Sequence, residues 1–159
     1  MKLESEAELV QNPALCALLI CSFVTEFYGE SRKLKGPAIP FVLPVLPMVI
    51  HKETVEALAR RRYIGGLHLA LAENKTLIVD LQERMEITTE LTMTALNICF
   101  ASGLIGYDQE RGQLIPKKSI GFQTESEEVR EMINTSNRLG YWFSTINAEQ
   151  LCSMLRIHF

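Results

Sequence analysis

The sequence predicts a mainly α-helical fold carrying one small β-hairpin. Three observations predict it: apolar residues recur at three- and four-residue steps, cap signals punctuate those stretches, and one pair of short strand-like runs flanks a glycine-containing turn. The chain has 159 residues, 47% of them hydrophobic and 22% charged, which supplies a core and argues against disorder. It reads as a single compact unit over 1–159. If it divides, it divides in the loop Lys118–Gln123, giving a helical and winged-helix portion over residues 1–118 and a C-terminal helical portion over residues 119–159.

Asn12-Pro13 opens the first helix, because Asn accepts from free amides and Pro suits the first helical position. That helix should run to about Tyr28 and stop near Gly29. It is apolar on every face, so it is buried on several sides, some of them covered by another subunit. A polar loop with Arg32, Lys33 and Lys35 follows. Pro37, Pro40, Pro44 and Pro47 then limit regular helix, predicting an extended lead-in and one or two helical turns. The next helix spans Thr54–Arg62 with Thr54 as cap, its closing arginines favouring the helix C-terminus. Gly65-Gly66 breaks the chain. Leu67, Leu71, Ile78, Leu81 and Met85 predict one helix, with Asp80 and Arg84 paired on its outer face. Thr88 caps a separate helix over Thr89–Ser102.

Residues 104–108 and 113–117 flank Gln109-Glu110-Arg111-Gly112 and predict the hairpin. A helix feeding directly into a hairpin is the order at the end of a winged helix-turn-helix, so the fold is winged-helix-like. Thr124 and Glu127 have capping-box spacing and start a helix running toward Leu139 and on through Tyr141, Trp142 and Phe143. Asn147 and Gln150 repeat the signal for a last helix. The chain closes on Leu155, Ile157 and Phe159, an apolar end suited to a core or a partner.

The chemistry of common enzymes is missing. The glycines form neither a phosphate loop nor a dinucleotide fingerprint, and no nucleophile elbow or zinc-protease motif occurs. Cys16, Cys21, Cys99 and Cys152 lie in apolar stretches without CxxC spacing and read as reduced, buried thiols, while His51, His68 and His158 are scattered. The expectation is no catalytic residue, no metal, no cofactor and no small-molecule substrate. The start of the chain is too acidic for a signal peptide, and the apolar run from Ala14 to Val24 is short of the roughly 20 residues that span a bilayer. A cytoplasmic protein without membrane contact is expected.

A winged helix raises DNA binding, and charge decides against it. From Met85 through Glu110 there is no Lys or Arg, while Glu86, Glu90, Asp108 and Glu110 are present. DNA affinity rests on cations against phosphate. Lys117 and Lys118 at the wing are a thin footprint. The helix before the hairpin therefore reads as structural or protein-contacting, with Thr92 and Asn97 not reading bases. A winged-helix DNA-binding transcription regulator is the alternative function.

The segments Gln11-Asn12-Pro13-Ala14-Leu15, Gly36-Pro37, Leu43-Pro44-Val45-Leu46-Pro47-Met48-Val49-Ile50-His51-Lys52 and Leu67-His68 resemble the middle component of ABC-three-component systems. The stretch from Thr94-Ala95-Leu96 to Gly103-Leu104-Ile105 and the closing Leu155-Arg156-Ile157 fit the same resemblance. The resemblance implies a non-catalytic adaptor in an anti-phage or anti-plasmid defence complex of the Lamassu type. Its partners would be an ABC ATPase of the SMC/Rad50 kind and an effector, a nuclease, with DNA reached only through the complex. No catalytic residues come with it. The greasy Pro-rich segment and the apolar end exceed what a small interior hides. Partner-binding residues are therefore expected at Phe41, Val45, Met48 and Phe159. Trp142 joins them, since three consecutive aromatics cannot all face one side of a helix.

Overall fold

The structure is a computed structural model that describes residues 12–31 and 35–159. The acidic start of the chain, Gln11, Arg32 and Lys33 lie outside the described residues.

Helix α1 spans Pro13–Glu30, and the Asn12 side chain accepts from the Leu15 amide at 3.1 Å. It is the axis of the fold. On one side lies α7 (Glu127–Ser144), and on another α6 (Leu81–Ala101); strand β2 (Gln113–Pro116) and α3 (Val45–Ile50) pack on it as well. This corrects the expectation that another subunit covers part of α1: Leu15, Leu19, Ile20, Phe23, Val24 and Phe27 are buried by the chain's own helices. The helix is also longer than the apolar run read from the sequence. By length and composition it could cross a membrane, yet half of it is buried in intrachain packing, as in the core helix of a folded domain. Helices α1 and α7 approach closely at Gly140 of α7, where a Cβ would stand 2.6 Å from the Phe23 carbonyl oxygen. Phe23 and Phe143 pack edge to face across the same crossing, with ring centroids 5.6 Å apart.

The Pro-rich segment forms an extended lead-in, then α2 (Ile39–Val42) and α3, as its prolines predict. The lead-in lies against β2. The Leu114 amide donates to the Pro37 carbonyl at 2.8 Å, and the Gly36 amide donates to Gln113 Oε1 at 3.0 Å. A Cβ at position 36 would collide with the Leu114 carbonyl, so only glycine fits there. Helix α4 covers Lys52–Leu58, starting two residues before Thr54. Thr54 is fully buried, 2.9 Å from His51 Nδ1, and is no cap. Arg60 and Arg61 lie just beyond the helix; Arg61 Nε donates to the Ala57 carbonyl in its last turn at 3.2 Å, the role expected of a basic residue there, while Arg60 also pairs with Glu131 and Arg61 with Glu73.

The expected helix through Leu67–Met85 is interrupted twice. Helix α5 (Gly66–Glu73) ends at Asn74, a 3₁₀ turn spans Lys75–Ile78, and Asp80 takes a left-handed conformation with φ 57°. Helix α6 then runs unbroken over Leu81–Ala101. The separate helix from Thr89 is therefore corrected too. Thr88 and Thr89 are interior residues whose hydroxyls donate back to the carbonyls of Arg84 and Met85.

Strands β1 (Ile105–Asp108) and β2 pair antiparallel, Ile105 opposite Pro116 and Asp108 opposite Gln113. Ser126, not Thr124, caps α7, accepting from the Val129 amide. Helix α8 (Ala148–Leu155) carries the complete capping box read at Asn147 and Gln150. The observed fold is mainly helical with a small two-stranded antiparallel sheet. Its core joins residues on both sides of the loop Lys118–Gln123.

Candidate partner interface

The five residues singled out as partner-binding do not form one surface. Val45 and Met48 are fully buried in the chain's own core. The expectation that these two side chains bind a partner is corrected: neither reaches the surface, and a charge at either position would be buried without a partner. Their prolines place them on α3, which faces α1, α6 and α7. Trp142 is buried as well, its indole N–H donating to the Tyr63 carbonyl. Of the three consecutive aromatics, Phe143 is also buried, and Tyr141 is half-buried against the Tyr63 ring, 5.0 Å between centroids. Phe41 is partly covered and packs edge to face on Phe27. Phe159 is 50% exposed.

Large apolar side chains reach solvent in three places. Ile64 and Leu69 stand at the start and along the outer side of α5. Tyr107 projects from the hairpin, with Ile120 and Phe122 in the loop after it. Ile87 and Met93 lie on α6, with Val79 just before that helix and Phe159 beside it. The last placement follows from Gln82, whose side-chain amide brackets the backbone of His158, donating to its carbonyl and accepting from its N–H.

Sequence reasoning missed Ile87 and Met93. Their signal was available: in the single long helix, both fall among the exposed residues Glu83, Glu86, Glu90 and Asn97 and not on the buried stripe of Leu81, Met85, Ala95, Leu96 and Cys99. Treating the segment as two helices concealed the common phase. Thr92 is fully buried, so it cannot reach a base edge, while Asn97 is exposed.

Titratable groups follow their burial. Desolvation pushes the Cys16 thiol up to about 11 and the Cys99 thiol, also beside Cys21, up to about 12. Cys21 is raised for the same reason, whereas Cys152 is only partly buried. Burial, then the neighbouring Glu30, raises Glu26. Tyr63 is raised by burial, then by Glu26 and Glu30, against the opposing pull of Arg138. The Arg138 guanidinium lies over the Tyr63 ring and donates to the Arg61 carbonyl, so this cluster fastens the α4–α5 connection to α7. Among the described residues, no group of three or more His, Cys, Asp or Glu is placed to hold a metal ion.

Fold and surface together define a mainly helical domain with a small hairpin, its exposed apolar residues gathered on helix faces and in the hairpin region. The chain belongs to the family of the ABC-three component (ABC-3C) system Middle Component 3, whose profile matches residues 1–159. It is thus a component of a multi-subunit defence system and has protein partners. No curated protein and no solved structure matches it.

Proposed function

We propose that the chain is a non-catalytic adaptor that joins an SMC/Rad50-like ABC ATPase to an effector, a nuclease, in a cytoplasmic defence complex of the Lamassu type. The observation that carries this reading is the family match over the full length. A middle component with its apolar interior filled by its own chain offers surfaces rather than a reaction centre. The arrangement of α6, hairpin and lead-in supports a winged-helix module, since the lead-in occupies the free edge of β2 beside the wing. Direct base reading by α6 is disfavoured. Its exposed face carries Glu83, Glu86 and Glu90, and DNA affinity requires cations at phosphate. DNA is then met through the complex, and of the five expected partner-binding residues Phe41 and Phe159 retain that role.

Co-expression with the two companion components tests this. The expected result is one stable assembly containing all three proteins, with ATP hydrolysis assigned to the ATPase and nucleic-acid cleavage to the effector by substitutions in those proteins. A chain that stays monomeric beside both companions, or that cleaves nucleic acid alone, overturns the reading.

A further inference from the structure

Helix α6 has an outer face open to solvent. At 100° per residue, Gln82, Glu83, Glu86, Ile87, Glu90, Met93 and Asn97 fall within an arc of roughly 140°. Along that arc Ile87 is 72% and Met93 42% exposed. The docked tail extends the apolar area, because Gln82 holds His158 and so sets Phe159 beside the start of the helix. The middle of the arc is acidic, with Met93 and Ile87 toward its two sides. Glu83, Glu86 and Glu90 stand at three- and four-residue spacings, and like charges so placed repel one another. The helix N-terminus offsets that repulsion in the first turn only, which contains Glu83 but not Glu86 or Glu90. No ion pair among the described residues includes any of the three. Residues Met85 through Glu110 supply no Lys or Arg to relieve them. Glu86 accepts from the Gln82 side-chain amide at 2.9 Å, a neutral partner that leaves its charge in place. A face that combines exposed aliphatic and thioether side chains with three carboxylates outside these ion pairs has the composition of an interface whose opposite side is cationic and amphipathic.

We infer that this face of α6 docks a Lys/Arg-rich amphipathic helix of one companion protein in the three-component assembly. The inference rests on the adaptor reading and adds to it the surface and the chemistry of the contact. Apolar positions of the incoming helix cover Ile87, Met93 and Phe159. Its basic positions pair with Glu83, Glu86 and Glu90, which orients it along α6 and sets a salt-sensitive association rate.

The experiment uses the full chain co-purified with both companions. Ile87→p-benzoylphenylalanine is photo-cross-linked in the assembly, and the captured peptide is sequenced. In parallel, E83K/E86K/E90K and the milder E83Q/E86Q/E90Q are measured for affinity to the companion at low and high salt. A cross-link to a Lys/Arg-rich helical segment of a companion supports the inference. So does a loss of about tenfold or more in affinity with the lysine variant, a smaller loss with the glutamine variant, and a reduced salt dependence in both. Circular dichroism checks that these exposed substitutions leave the fold intact. A cross-link to residues 1–11 of the same chain, to a second copy, or to a segment without basic residues overturns it. An assembly that forms unchanged with the lysine variant overturns it while leaving the adaptor reading standing. Failure of wild-type chain to assemble with either companion removes both.

Discussion

The indole N–H of Trp142 donates to the backbone carbonyl of Tyr63, and a Cβ on Gly66, three residues further on, would stand 2.6 Å from the same indole. One aromatic side chain on α7 therefore fixes the position of the α4–α5 connection. Trp142→Ala removes both bond and volume and is expected to cost about 3–5 kcal/mol, the range for large aromatic truncations. Trp142→Phe keeps most of the volume and leaves the carbonyl unpaired, costing about 1–2 kcal/mol. Urea unfolding measures both. Equal stability of the two variants would mean that the hydrogen bond contributes everything and the packing nothing.

Two helical glycines should respond to alanine with opposite sign. Ala exceeds Gly in helix propensity by about 1 kcal/mol. At Gly29, near the end of α1, an added Cβ meets nothing within 4 Å, so Gly29→Ala should stabilise by about 0.5–1 kcal/mol. At Gly140 the Cβ meets the Phe23 carbonyl oxygen at 2.6 Å and the Phe27 amide at 3.1 Å. Those are backbone atoms of a packed helix and cannot swing aside. Overpacking of about 1–3 kcal/mol should exceed the propensity gain, and Gly140→Ala should lower the thermal midpoint. A raised midpoint would show that α1 and α7 separate more easily than the packing implies.

What was legible in the sequence was local. Asn12 capping α1, the Asn147 box on α8 and the turn before Gln113 each depend on residues a few positions apart, and all three stand as read. Asp80 was not legible. Leu67, Leu71, Ile78, Leu81 and Met85 keep helical spacing across it, and periodicity records which positions are apolar, not whether the backbone between them stays helical. Val45 and Met48 failed for another reason. A greasy Pro-rich run looks like excess when interior volume is judged from chain length alone, but three separate helices surround α3 and consume it. The acidic and apolar face of α6 needed the helix to be seen as one piece before its phase could be read.

Burial of the thiols predicts a pH dependence with a definite sign. Cys16 and Cys99 are raised from 9.0 to about 11 and about 12 in the folded chain. Between the unfolded value and these, the unfolded state releases protons that the folded state retains, so stability falls as pH rises through that window. It is unaffected by these groups below about pH 8, where both states hold the thiol proton. Each group contributes a slope of up to about 1.4 kcal/mol per pH unit. Cys99→Ala should flatten the decline in urea midpoint above pH 9, net of its own cavity cost. In the native state at neutral pH, an alkylating reagent should modify the partly buried Cys152 well before Cys16, Cys21 or Cys99. Faster modification of Cys99 would contradict its burial.

Arg84 is the polar residue of α6 whose role differs most from its sequence reading. The four-residue spacing from Asp80 suggested an exposed pair, worth a few tenths of a kcal/mol. The left-handed turn at Asp80 ends that geometry, and the guanidinium turns to backbone carbonyls instead. Nη1 donates to Pro47 at 2.8 Å, and Nη2 donates to Leu77 at 3.1 Å and Val79 at 3.4 Å. One fork thereby ties α3, the 3₁₀ turn and the first turn of α6 together, in a partly buried setting where charge-assisted bonds are strong. Arg84→Ala leaves these carbonyls without that donor and should cost about 2–4 kcal/mol. Arg84→Lys keeps the charge but presents a single ammonium that cannot span carbonyls on two segments, so it should recover less than half of the loss. Chemical unfolding of the three proteins decides between fork and charge. A lysine variant as stable as the parent would reduce Arg84 to a simple cation.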